Sequence, residues 1–140
     1  MAKGYYRFHN GIYPRRLYVA VGVGEDFVNE WFFSERGRLA IDWEGSDALT
    51  FDEIKERSSG VYGSLVVFRS KQEMTPKVMA HEAVHVMDSF MDVLGIERAE
   101  EGTNEHLAYL MGWIVGCMDD VKAGKAEIVK TDNRKRKDKK

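Results

Sequence analysis

Cysteine and proline are almost missing from this chain, with one Cys and two Pro in 140 residues. A lone Cys117 allows no internal disulfide, which excludes a disulfide-stapled fold and fits a reducing compartment. Its position inside an apolar run marks it as a small buried hydrophobe rather than a nucleophile. Long hydrophobic runs are also missing. The longest uncharged apolar stretch, Leu107 to Met118, has 12 residues, against the roughly 20 that cross a bilayer as a helix, so it is expected to be a buried helix. The opening Met-Ala-Lys-Gly-Tyr-Tyr-Arg-Phe-His has neither the apolar core of a secretory signal nor the bias of a transit peptide, and a cytoplasmic location is expected. No heptad pattern, internal repeat or low-complexity core is present, which excludes a rod or a solenoid.

What is present suits one globular domain with one core. Hydrophobic residues make up 44% of the chain and charged residues 31%, with three Trp, six Tyr and seven Phe. Charge is unevenly spread. The last ten residues hold six of the 21 basic side chains and two of the 23 acidic ones, leaving the remainder at −6. Residues 1–129 are therefore expected to form the domain and 130–140 a basic, disordered tail. Arg134 to Lys140 offers at most weak contacts to nucleic-acid phosphates, and the acidic body argues against a broad DNA surface.

The first half predicts short strands and turns. Tyr5 to Phe8, the turn His9-Asn10-Gly11 and Arg16 to Val23 form an antiparallel opening, followed by a helix over Glu25 to Phe33 and a strand over Arg38 to Trp43. Thr50-Phe51-Asp52-Glu53 has the pattern of a capping box and predicts a short helix. Leu65 to Phe68, bounded by Gly63 and Ser70, predicts another strand. The second half predicts two helices, one opening at Thr75-Pro76 and stopping at Gly95, the other running from Thr103 to about Asp120 across a loop at Glu97 to Gly102. The fold class is α+β, a short antiparallel or mixed sheet packed on these helices.

The first of those helices carries His81-Glu82-Ala83-Val84-His85, the HExxH pattern. Imidazoles at i and i+4 lie one turn apart and can close on one Zn²⁺, while Glu82, rotated by about 100°, can reach a water on the open coordination position. Met79, Ala83, Met87, Phe90 and Leu94 share one face of this helix, and His81, His85, Asp88 and Asp92 lie opposite as a polar stripe. That stripe is equally what a solvent face looks like. A third ligand must be His, Asp or Glu from a neighbouring element. Glu105, 20 residues after His85 in the first turn of the next helix, meets this best, with Asp88 and His106 as rivals. Asp88 lies so close along the same helix that it better suits bonding a ligand than being one. Tyr109 and Gly112 share the face of Glu105; Tyr109 or His106 is a candidate donor to an oxyanion, and each is also readable as a plain core or surface residue.

His81, Glu82 and His85, followed by Asn104-Glu105, resemble the zinc site of thermolysin-like metallopeptidases, the gluzincin branch of the zincins. The resemblance spans the two helices, some 40 residues. It implies a zincin-like domain in which His81, His85 and Glu105 bind Zn²⁺ and Glu82 is general base. It departs from the family four residues after the glutamate, where Tyr109 replaces an aspartate that steadies a ligand histidine. The segments His81 to Asp88 and Glu105 to Trp113 are also similar to small phage and prophage proteins with HExxH helices. Zincins bind an extended substrate along an edge strand above the motif helix, and Gly63 to Arg69 is the candidate for it.

The expectation is thus a zinc-dependent metallohydrolase, a peptidase, acting on a peptide or protein along 63–69, with zinc lowering the pKa of its water towards ~7 and Glu82 taking the proton. The rival expectation, from another class, is a non-catalytic interaction module, zinc-stabilised or metal-free, such as a phage accessory protein.

Overall fold

The two most apolar strands stand side by side at the centre of the sheet. In the structure, a computed structural model describing residues 4–131, Arg16–Val21 (β2) pairs in parallel with Tyr62–Phe68 (β5). Strands read as unbroken apolar runs when both of their faces are covered, and both are covered here. Leu17, Val19, Val66 and Phe68 point into a core shared with two helices, Pro76–Leu94 (α2) and Glu105–Lys122 (α3). Tyr18, Ala20, Leu65 and Val67 point the other way, into a second core closed by the helix Glu25–Trp31 (α1) and by Leu39 from the segment after it. Gly63 makes the central pairing possible, because a Cβ there would lie 2.0 Å from the Arg16 carbonyl oxygen.

Gly4–His9 (β1), Phe32–Phe33 (β3), Ala48–Glu56 (β4) and Ile128–Lys130 (β6) complete a six-stranded mixed sheet in the order β3-β4-β5-β2-β1-β6. The antiparallel opening is as expected, with Tyr6 opposite Val19. The domain is α+β. Lys130 closes β6, and the rest of the expected basic tail, beyond residue 131, lies outside the described residues. Among the described residues no helix is long and apolar enough to cross a membrane.

Three expectations fail here for local reasons. Thr50 to Glu53 is strand, not helix; the side chains that suggested a capping box are used elsewhere, Thr50 Oγ1 donating to Glu82 Oε1 (2.9 Å) and Glu53 Oε1 accepting from Arg15 Nη1 (2.9 Å). Arg38 to Trp43 is irregular, not strand. Its amides find side chains of α1 instead of a strand neighbour, Leu39 N–H on Asn29 Oδ1 and Ile41 N–H on Glu25 Oε1, both at 2.8 Å. Finally, the segment 63–69 is not an edge. β5 is flanked by β4 and β2, so no extended substrate can pair with it.

Burial of Cys117 is as expected, and it pushes the thiol up to about 12, so the side chain stays a neutral hydrophobe. On the second core face, the fully buried Glu56 accepts from Tyr5 Oη, from Arg7 Nη2 (2.6 Å), from Arg16 Nη1 (3.2 Å) and from Ser59 Oγ (2.6 Å). Burial by itself raises a carboxyl's pKa; the bonds from Arg7, Ser59 and Tyr5 outweigh it and hold Glu56 below the usual carboxylate value. The stabilisation is therefore complete above the unfolded value near pH ~4.3 and is lost as pH falls through the folded one. Glu56→Gln should cost about 3 kcal/mol at pH 7, because two guanidiniums lose their partner, and urea titrations at pH 7 and below 4 should show a shallower acid loss than in the parent chain.

Candidate functional site

The helix boundaries around the HExxH turn are those its sequence dictates. Thr75 Oγ1 accepts the Val78 N–H (3.3 Å), Pro76 occupies the first turn, and Gly95 (φ 68°) ends α2 with its N–H on the Met91 carbonyl. The rotation of the helix differs from expectation. Glu82, Val86 and Ser89 are among its most buried residues, whereas Met87 and Leu94 are half-buried. α2 sits in the angle between the sheet and α3, so two of its sides are covered. Glu82 and Ser89 point to β4, and Phe90 meets Trp113 of α3 with ring centroids 6.1 Å apart.

His81 and His85 are brought together, with ring centroids 5.1 Å apart, on an exposed side of α2. Glu82 is not in the open beside them. It is 5% exposed, and the oxygen not bonded to Thr50 lies 3.8 Å from His81 Nε2. His85 lines a cleft of about 370 Å³ between α2 and β4, together with Asp52, Glu53, Asp88, Asp92 and Arg36. A second crevice of about 350 Å³ continues from it along β4, between Thr50 to Ile54 and the segment Ser34 to Ala40, sharing Arg36, Asp52 and Glu53. A further cavity of about 400 Å³, at the β1–β2 connection, contains no residue of α2.

Glu105 does not join the histidines. At about 100° per residue, Phe90, which faces α3, is turned about 140° from His85 and about 180° from His81, so the imidazoles look away from the helix that carries Glu105. Distance adds to direction. α2 continues nine residues past His85, and α3 returns along it with Trp113 against Phe90, which leaves Glu105 about 20 Å from His85 along the axis at 1.5 Å per residue. The 20-residue interval is spent on extra helix. Glu105 is exposed in the first turn of α3. His106 Nε2 lies 2.8 Å from the Glu97 carbonyl oxygen and ties down the inter-helix loop, and Tyr109 is 76% exposed. Among the described residues no three His, Cys, Asp or Glu side chains are grouped so as to hold a metal ion. Two imidazoles are available to Zn²⁺, but the three-ligand set expected from the motif does not fit this arrangement.

Sequence reasoning missed the β4 side of the site. β4 carries a bulge at Asp52 and Glu53, where the register with β5 shifts between Phe51 and Ile54. A bulge re-aims the residues it contains. The Asp52 carbonyl turns inward and accepts from Arg15 Nη2 (2.7 Å), Ser89 Oγ (2.7 Å) and Ser64 Oγ (3.1 Å), pinning β4 to α2. Asp52 also lines the cleft. Neither Arg15 nor Thr50 announces itself in sequence, since each belongs to the site only through pairing between distant segments. No protein-family model, curated protein or solved structure matches this chain.

Thr50→Val should destabilise the fold by about 1.5–3 kcal/mol, the worth of a hydrogen bond to a charged group whose acceptor stays buried. His81→Ala and His85→Ala, both exposed, should stay within about 0.5 kcal/mol of the parent chain in chelator. Urea denaturation of the three variants measures this ordering.

Proposed function

We propose that this chain is a peptide-recognition domain whose groove is the outer edge of β4 together with the cleft between β4 and α2. One observation carries this reading: β3 covers β4 only at Lys55 and Glu56, so among the described residues the edge from Ala48 to Ile54 has no strand beside it, and the two connected crevices run along that edge. The Arg69 N–H bonds the Asp47 carbonyl (2.9 Å). Alternation in an antiparallel ladder then turns the N–H and C=O of Ala48 and Thr50 outward. An extended chain laid there gains main-chain hydrogen bonds, and its alternate side chains enter the cleft. The groove is kept open by the same contacts that prevent the 38–43 segment from forming a strand, since Leu39 and Ile41 are held on α1 by Asn29 and Glu25.

Zinc-dependent peptide hydrolysis is a second reading, favoured by the position of His85 in the wall of this groove with His81 one turn away. Among the described residues no third ligand stands with the two imidazoles.

Both readings are tested on the full chain with a pooled library of end-blocked peptides. The expected result is peptide capture without cleavage, substoichiometric zinc in protein purified without chelator, and loss of capture in Ala48→Pro. That substitution removes one outward N–H at the first residue of a strand, where proline is tolerated, so the melting temperature should hold. Capture that survives Ala48→Pro overturns the groove assignment. Stoichiometric zinc that disappears in His81→Ala, with cleavage that stops in Glu82→Gln, replaces recognition by catalysis.

A further inference from the structure

The uncovered side of α2 is complementary to itself. Lys77, His81, Val84, His85 and Asp88 are all exposed, and at about 100° per residue they fall within an arc of about 100°. Glu82, which bonds β4, and Phe90, which meets α3, are turned about 100° and about 180° from His81, so the sheet and α3 lie on other sides of the helix. Charge is ordered along the exposed arc. Lys77 stands one turn before the first imidazole, Asp88 just under one turn after the second, and Val84, 46% exposed, gives the face an apolar centre. A second α2 laid antiparallel on this face, about a two-fold axis midway between His81 and His85, puts His81 of each copy opposite His85 of the other. Lys77 of one copy then falls within one residue, about 1.5 Å along the axis, of Asp88 of the other, and the two Val84 side chains meet near the axis. Such reciprocal contacts are what a two-fold interface requires. Parallel packing would set Lys77 on Lys77 and Asp88 on Asp88.

The imidazoles add an independent argument. Their ring centroids are 5.1 Å apart, yet among the described residues no third ligating side chain is grouped with them. A closed zinc site takes four ligands in a tetrahedron. One copy supplies two, and two copies related by the same two-fold axis supply four.

We propose that two copies of this chain pair antiparallel through the exposed face of α2 and share one Zn²⁺ held by His81 and His85 of each. The ion differs from the one expected from the HExxH pattern in ligands and in role: it has no open coordination position, Glu105 is not needed, and it belongs to an interface. The carboxylate of Asp88 and the ammonium of Lys77 fix the antiparallel sense of the pairing, and the metal fixes its register. The pairing makes no use of peptide binding at β4, so the two assignments fail separately.

The experiment is sedimentation velocity on the full chain, in chelator and in a titration with zinc chloride, with metal content measured on the sedimenting species. The expected result is a monomer in chelator and, with zinc, a dimer that contains one ion per two chains. His81→Ala and His85→Ala should each stay monomeric at zinc concentrations that dimerise the parent chain. Lys77→Glu should weaken the zinc-loaded dimer about fivefold, the scale of two exposed ion pairs. Lys77→Glu combined with Asp88→Lys should restore it, because the exchange keeps the two ends complementary. A parent chain that stays monomeric in zinc, whether or not it binds one ion per chain, overturns the shared site. Association that persists in chelator or in either histidine variant overturns it too. A double variant that dimerises no more tightly than Lys77→Glu overturns the antiparallel pairing.

Discussion

One carbonyl oxygen holds the architecture of the groove. The Asp52 C=O, turned inward by the bulge, accepts from Arg15, Ser89 and Ser64, and so joins the residue before β2, the middle of α2, and strands β4 and β5. Arg15 is 3% exposed and lies 5.4 Å from the centroid of the Phe90 ring. A buried guanidinium without partners is costly, and only the combination of the Asp52 carbonyl, Glu53 and the two serine hydroxyls makes its burial tolerable here. Among the described residues its Nε has no hydrogen-bond partner. The bulge of β4 and the seat of α2 beside it are thus tied to the partners of one buried charge.

The HExxH turn takes a different meaning in this setting. The motif specifies that two imidazoles share a side of a helix, and they do. What it leaves open is which neighbour that side faces. Here the apolar face of α2 is claimed by α3 through Phe90, and Glu82 is claimed by β4 through Thr50, so the histidines are left on the remaining side, beside the groove and away from Glu105. Glu82, the carboxylate expected as general base, is a buried acceptor that fastens helix to strand.

Much of the fold was legible in the sequence because it depends on short-range chemistry. Thr75-Pro76 and Gly95 bracket α2, the alternation and apolar runs of β1, β2 and β5 mark strands, and the uncharged run Leu107 to Met118 gives the buried face of α3. Legibility stopped where a residue's partner is far away in the chain. Thr50 and Glu53 have the local pattern of a helix start, but Glu82 and Arg15 claim them across 32 and 38 positions. The amides of Leu39 and Ile41 are diverted to α1 in the same way.

By itself, the sequence determined the α+β class, the two long helices and the pairing of His81 with His85, because propensity, capping and the 3.6-residue period act within one or two turns of chain. Only the tertiary structure decided that β5 is a central strand while β4 is covered by β3 only at Lys55 and Glu56 among the described residues, that Glu105 stands apart from the histidines, and that Asp52 joins Asp88 and Asp92. Those outcomes follow from how buried charges and unpaired backbone groups find partners across the fold, a competition that involves every segment at once and leaves no local trace.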